Sequence, residues 1–431
     1  MRLKIENIGM IRHADIRLDG LTIIAGENDT GKSTVGKLIF SLIKAFNRYE
    51  QDLSDSKSDE IIELIKETYF RLQKSYNFKE KKELQTAFYP PTFIKELKKN
   101  EDNIVSFIND KISLLVKINA LMSIQNLETI KAIYLEDRSK ATIIKKLLTI
   151  TCASEFYFEL SPKNSDLISH INISEGANDI SDIFIKSDEI IDLSIYDDLL
   201  FKDVTFIETP IFLQLYDLIR SSSSLFEMED RQFIRMGYSK VALHTRDLIS
   251  KLENAQYFSF QQKILSGNNL DNLLNSIMNI TKGSGFSFEK EERDFYFNKN
   301  ENTKFKSINT ATGLKSFGII QLLIQANILN ERSLLIIDEP EIHLHPKWQV
   351  EYAKLIVALV KNDIPVLLTS HSPEIIHALT VFSEQFGVQD RTAYYLTESD
   401  GTVSDINDVT GNINKIFIKL TQPLRELMRG V

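Results

Sequence analysis

Gly26-Glu27-Asn28-Asp29-Thr30-Gly31-Lys32-Ser33 has the spacing G-x-x-x-x-G-K-[ST] of a phosphate-binding P-loop. The spacing has a physical reason. Successive backbone N–H groups must turn inward toward phosphate oxygens. Glycine permits that backbone path. A helix that starts at the end of the loop presents its positive pole to the anion. The flanks fit this reading. Leu21-Thr22-Ile23-Ile24-Ala25 is a continuous apolar run of buried-strand type, and Val35, Leu38, Ile39, Leu42 and Ile43 share one helical face after it. The expected nucleotide-binding set is Gly26, Asn28, Asp29, Thr30, Gly31, Lys32, Ser33 and Thr34. Lys32 reaches the β and γ phosphates in this reading, and the Ser33 hydroxyl ligates Mg²⁺. Asp29 is acidic inside the loop, so its carboxylate is expected to point away from phosphate.

Two further runs carry chemistry. Leu334-Leu335-Ile336-Ile337-Asp338-Glu339-Pro340 reads as a buried strand with two carboxylates at its C-terminal end, where open α/β sheets bind ligands. Asp338 can hold Mg²⁺, and Glu339 can orient the attacking water or take its proton. Val366-Leu367-Leu368-Thr369-Ser370-His371-Ser372 is another buried strand ending in polar residues. From its tip His371 can hydrogen-bond a γ-phosphate or the water.

Together these three motifs resemble an ABC-type ATPase cassette of the SMC, RecF and OLD kind. The run Asp338-Glu339-Pro340-Glu341-Ile342-His343-Leu344-His345-Pro346 is similar to the form seen in OLD-like prokaryotic ATPases. The resemblance covers residues 1–50 and about 305–400. It implies ATP and Mg²⁺ as cofactors, Asp338 with Ser33 at the metal, Glu339 as the catalytic carboxylate and His371 as the switch histidine. It also implies a head-to-tail homo-oligomer in which a signature motif touches the partner's nucleotide. The candidate is Thr312, Gly313 and Lys315, within Thr310-Ala311-Thr312-Gly313-Leu314-Lys315, which departs from Leu-Ser-Gly-Gly. The glutamine that the family places after the Val204–Ile207 strand is replaced by Glu208-Thr209-Pro210.

Organisation follows from the distance between motifs. The long stretch from Lys32 to Asp338 requires inserted segments. The expected fold is α/β: an ABC-type P-loop ATPase cassette with a mostly parallel sheet core, an antiparallel β portion and inserted helical segments. The cassette is assigned to 1–50, 151–210 and 283–431, a helical insertion to 51–150 and a helical subdomain to 211–282. Asp52 to Glu60 reads as a polar linker, Tyr89-Pro90-Pro91 as a break, Glu155–Leu160 as a strand and Ser221–Ser224 as a loop. Phe286 to Phe297 reads as two short strands. No heptad pattern is sustained, so a long coiled-coil arm is not expected.

Composition narrows the function. The chain has 431 residues, 43% hydrophobic, with a net charge of −9. That is ordinary globular usage and excludes a generally basic nucleic-acid coat. One cysteine, Cys152, allows no intrachain disulfide. No apolar run reaches the ~18 residues of a membrane span, and the start Met1-Arg2-Leu3-Lys4 is charged, so a soluble cytoplasmic protein without a membrane partner is expected. His343 and His345 are two apart, yet no third ligand cluster accompanies them, and they read as a turn sealed by Pro346. After His371 no Asp-x-Asp cluster appears, Asp400 and Asp405 being too far apart for a two-metal nuclease. A cassette with short helical insertions resembles the ATPase of the Septu antiphage system, which implies an HNH nuclease partner and contact with nucleic acid through the complex. RecF- or SMC-like DNA repair and a nucleotide-dependent scaffold with little turnover are the competing readings. Under all three, Lys32→Ala should abolish binding of a fluorescent ATP analogue; retained affinity would overturn the P-loop assignment.

Overall fold

Strands buried on both faces read as unbroken apolar runs. Three such runs make the centre of the main sheet: β3 (Leu21–Ala25), β11 (Ser333–Asp338) and β12 (Val366–Ser370), each buried along its whole length. The structure is a computed structural model that describes residues 1–76, 82–100, 103–135, 139–157, 159–163, 166–216, 219, 241–261, 269–283, 285–300 and 302–429. The chain divides into two compact units, Met1–Asn47 with Lys145–Val431, and Arg48–Ile144.

In the first unit β7 (Asp203–Ile207) and β13 (Thr392–Ser399) extend the centre, giving five parallel strands in the order β13-β3-β12-β11-β7. β14 (Ser404–Asp408) pairs antiparallel with β13 and parallel with β2 (Ile11–Arg17). Beyond it β1 (Arg2–Ile8), β4 (Ser169–Glu175), β5 (Asn178–Lys186) and β6 (Glu189–Ile195) complete an antiparallel wing. The result is an α/β fold with a parallel core and an antiparallel portion. A separate sheet of β8 (Gly285–Glu289), β9 (Asp294–Asn300) and β10 (Thr303–Lys306) lies beside it in sequence.

α1 (Lys32–Ser75) begins on the P-loop. α6 (Lys140–Phe156), α7 (Leu243–Gln261) and α8 (Asn269–Thr281) follow. α9 (Thr312–Gln325) is buried on nearly every side. Its Gln321 accepts the N–H of Phe286 at 2.9 Å and so binds β8 to the helix. α10 (Pro346–Lys361), α11 (Pro373–Phe386) and α12 (Asn414–Arg429) end the chain. The second unit holds α2 (Lys82–Phe88), α3 (Pro90–Lys99), α4 (Ile104–Val116) and α5 (Leu121–Leu135), packed around Ile65, Leu72, Phe88, Phe93, Ile108 and Leu127. Pro90 and Pro91 start α3, where a missing N–H costs nothing. Among the described residues no helix is long and apolar enough to cross a membrane.

Several readings need correction. Residues 52–60 are not a linker but lie within α1, whose sequence has no proline and a single glycine, Gly36, to interrupt it. Glu155 and Phe156 do not begin a strand; they end α6, because Glu155 is buried against α7. The β4–β6 meander and β13–β14 were not anticipated. The expected helical region 211–282 contains α7 and α8, while Ser221–Ser224 lies outside the described residues. Cys152 is buried, and burial pushes its thiol up to about 12. It should therefore resist Ellman's reagent in native buffer and react at once in denaturant; fast labelling of the native protein would contradict this packing.

Candidate functional site

Register brings the functional residues together. Ser370 stands opposite Ala25, Asp338 opposite Thr369, and Ile337 opposite Ile207. Four parallel strands thus end in one row, and the residues that follow them are Gly26, His371, Glu339 and Glu208.

Lys32, buried at the start of α1, donates to the carbonyls of Gly26 (3.2 Å) and Glu27 (2.6 Å), and its Nζ lies 3.5 Å from Glu339 Oε1. Gly26 is packed so closely on Thr397 that a Cβ would meet its Oγ1 at 1.8 Å. Thr30 is buried and shares a 2.7 Å hydrogen bond with Thr397 while donating to the Glu27 carbonyl at 2.8 Å. Those contacts fix the loop from below and leave Glu27, Asn28 and Asp29 exposed. Asp29 takes φ +58°, a left-handed conformation that aspartate tolerates better than most residues. Thr34 is half-buried one turn into the helix.

Asp338 is buried, accepts from the Thr369 hydroxyl, and also faces Ser33. Burial raises its pKa, and the bonds from Thr369 and Ser33 oppose that rise. Ser33 and Asp338 together offer hard oxygen ligands, the donor type Mg²⁺ takes. Glu339 has φ 44° and ψ 55°, left-handed for a non-glycine residue. Its N–H is held by the Thr369 carbonyl and hydroxyl, both at 3.2 Å. The fixed backbone aims the carboxylate at Lys32 and at His371, whose Nδ1 is 3.4 Å from Glu339 Oε1.

Glu341 was not singled out from sequence. One of its oxygens, Oε1, accepts from Ser370 Oγ (2.7 Å), His371 N (2.8 Å) and Ser372 N (3.2 Å). This buried carboxylate clamps the turn that carries His371, and the Nδ1 of His371 has no hydrogen-bond partner among the described residues. The available signal was the second acidic residue of Asp338-Glu339-Pro340-Glu341. Glu208 lies with Asp338, Glu339, Thr209 and His343 around one cavity. A hydrogen bond from His244 holds its pKa down at about 2, aided by Lys37. Burial works against the charge on His244, yet its bonds to Glu155 and Glu208 raise it to about 9.

The signature candidate is only partly available. Thr312 is half-buried, but a Cβ on Gly313 would meet the Trp348 ring at 2.7 Å. Lys315 is fully buried, with no partner for its Nζ among the described residues, and burial alone lowers it to about 8. It faces its own core, so the expected contact of Lys315 with a partner is not offered by this conformation. His343 and His345 serve local structure: His343 Nε2 lies 3.5 Å from Thr209 Oγ1, and His345 caps α10 by accepting from Lys347 N at 3.3 Å.

The profile of the AAA ATPase domain family (AAA_15) matches residues 1–376, which include the P-loop, Asp338, Glu339 and His371. The chain belongs to that family of ATPases, and the class brings nucleotide binding with it, typically with Mg²⁺. No curated protein matches the chain. Among solved structures it is similar to the SmcHead bound to the C-winged helix domain of ScpA, at 9% identity and TM-score 0.42, covering 96% of this chain and 98% of that one. It is also similar to the SMC head domain from Thermotoga maritima (11%, TM-score 0.36, 95% and 98%). A third is the Smc head domain with an extended coiled coil bound to the C-terminal domain of ScpA from Pyrococcus furiosus (10%, TM-score 0.38, 98% and 98%).

The geometry makes one variant decisive. Glu339→Gln keeps the size and removes the carboxylate expected to act as base. It should leave Mg-ATP affinity within about twofold and lower single-turnover hydrolysis by roughly 10²–10⁴. Unchanged hydrolysis would remove Glu339 from the chemistry.

Proposed function

We propose that this chain binds Mg-ATP at residues 26–34, hydrolyses it with Glu339 as proton acceptor, and through nucleotide-dependent assembly regulates a separate HNH nuclease in antiphage defence. The observation that supports the catalytic part is the meeting of Lys32, Asp338, Glu339 and His371 at adjoining strand ends, with Glu339 within 3.5 Å of Lys32 and 3.4 Å of His371.

When bound, Mg-ATP supplies the phosphoanhydride bond that is broken and a divalent charge beside the phosphates. The chain's own residues do the rest. The loop amides and the start of α1 receive phosphate oxygens. Lys32 exchanges its carbonyl partners for them. Ser33 and Asp338 would hold the metal. Glu339 takes the proton of the attacking water, and His371, presented by the Glu341 clamp, stabilises charge on the transferred phosphoryl group. Two copies assemble head to tail, with Thr312 contributing to a nucleotide held chiefly by the other copy.

What supports the nuclease partner is the resemblance of a cassette with short helical insertions to the Septu ATPase; the Asp338–Pro346 run adds only a likeness to OLD-like ATPases. Purification of the tagged protein from its own cell, with and without Mg-ATP, followed by mass spectrometry, tests it. An HNH nuclease retained with the ATPase is the expected outcome. Recombination proteins or DNA, with no nuclease, would move the chain to the repair class.

A further inference from the structure

One buried histidine is held from every side by groups that the nucleotide reading does not use. Both nitrogens of His244 face carboxylates: Nδ1 is 2.6 Å from Glu155 Oε2, and Nε2 is 3.1 Å from Glu208 Oε2. A protonated imidazole can donate from both nitrogens, and the bonds to the two carboxylates favour that charged form of His244. Phe206 lies against the ring with centroids 4.7 Å apart, and Phe40 meets it edge-on at 6.1 Å. The ring therefore has little freedom to rotate.

Behind it, Glu155 Oε1 accepts the backbone N–H of His244 at 2.9 Å, and Ser154 Oγ accepts that of Leu243 at 3.0 Å. These bonds satisfy open N–H groups at the first turn of α7 and fasten it to the end of α6. In front, Glu208 Oε1 lies 3.2 Å from Lys37 Nζ on α1. Lys37–Glu208–His244–Glu155 is thus a chain of alternating charge through α1, β7, α7 and α6. Capping α7 requires only its buried end, Glu155 with His244. The other end reaches the cavity shared by Asp338 and Glu339, where Glu208 is 39% exposed.

We propose that His244 is a positioning residue of the nucleotide site, holding Glu208 at the tip of β7 and passing its displacement to the first turn of α7. The proposal rests on the nucleotide reading above. Phosphates at the P-loop and the Glu208 carboxylate are like charges, and both attract the lysines of α1. Phosphate entry therefore repositions Glu208, and a ring locked between two aromatic neighbours carries that change into α7. Such a link is established by measured coupling, not by adjacency.

Hydrogen exchange on the full chain, with and without Mg-ATP, measures it. In the wild type both 26–34 and 241–250 should change on adding Mg-ATP. His244→Gln should keep the first response and lose the second, with kcat down by about tenfold or more and KM within about twofold. Glu208→Gln leaves the Glu155–His244 cap intact, guards against misfolding of the first variant, and should lose the same response. A wild type that responds at 26–34 but not at 241–250, or variants that respond like the wild type, would overturn the proposal. Absence of any response at 26–34 would instead overturn the nucleotide reading, and the proposal with it.

Discussion

The site depends on the register of four parallel strands. β3, β12, β11 and β7 are in contact side by side and end at one level. Because the central strands are covered on both faces, a slip by one residue would place Asp338 and Thr369 where apolar side chains now pack. The same alignment that buries Ile23, Ile336 and Leu367 therefore sets Gly26, His371, Glu339 and Glu208 in one row at the strand ends. Core packing and site geometry are one constraint, and neither can be altered alone.

Partly buried charge reinforces that alignment at the opposite end of β7. Asp203 accepts from Lys44 and Lys251, each at 2.6 Å, and Asp247 lies 2.7 Å from Lys44 and 3.0 Å from Lys251. The four groups join α1, β7 and α7. Such pairs are poor evidence of net stability, since desolvation offsets attraction, but loss of one member leaves an uncompensated charge. Glu341 works similarly on the His371 turn. The molecule thus places its costly polar groups where they hold elements in relation to the site.

What could be read from sequence was whatever is encoded locally. The P-loop, the Asp338-Glu339 strand end and the His371 strand end each carry their meaning within eight residues, and the structure brings them together. The 285–300 hairpin was legible because Phe286, Phe288, Phe295 and Phe297 flank a polar turn. The misread elements depend on distant partners. Glu155-Phe156-Tyr157-Phe158 has the aromatic content of a strand, but Glu155 is captured by a histidine 89 positions away. In β4 and β5 the isoleucines alternate with His170, Asn172 and Asp182, polar residues that pair with each other across the strands. Their pattern is weaker than that of the doubly covered centre. The acidic run at Asp338-Glu339-Pro340-Glu341 marked Glu341 as polar, but its role was not legible there, since its partners lie about thirty positions on.

The left-handed backbone of Glu339 has a consequence for how this protein can change. A conformation of that kind costs a non-glycine residue on the order of 1–3 kcal/mol. Glycine would relieve it while deleting the carboxylate. A search for sturdier variants that ignores turnover will therefore be drawn to position 339, and under the role proposed for its carboxylate the same site will resist improvement in any population that must keep the reaction. Here selection for persistence and selection for work pull one residue in opposite directions.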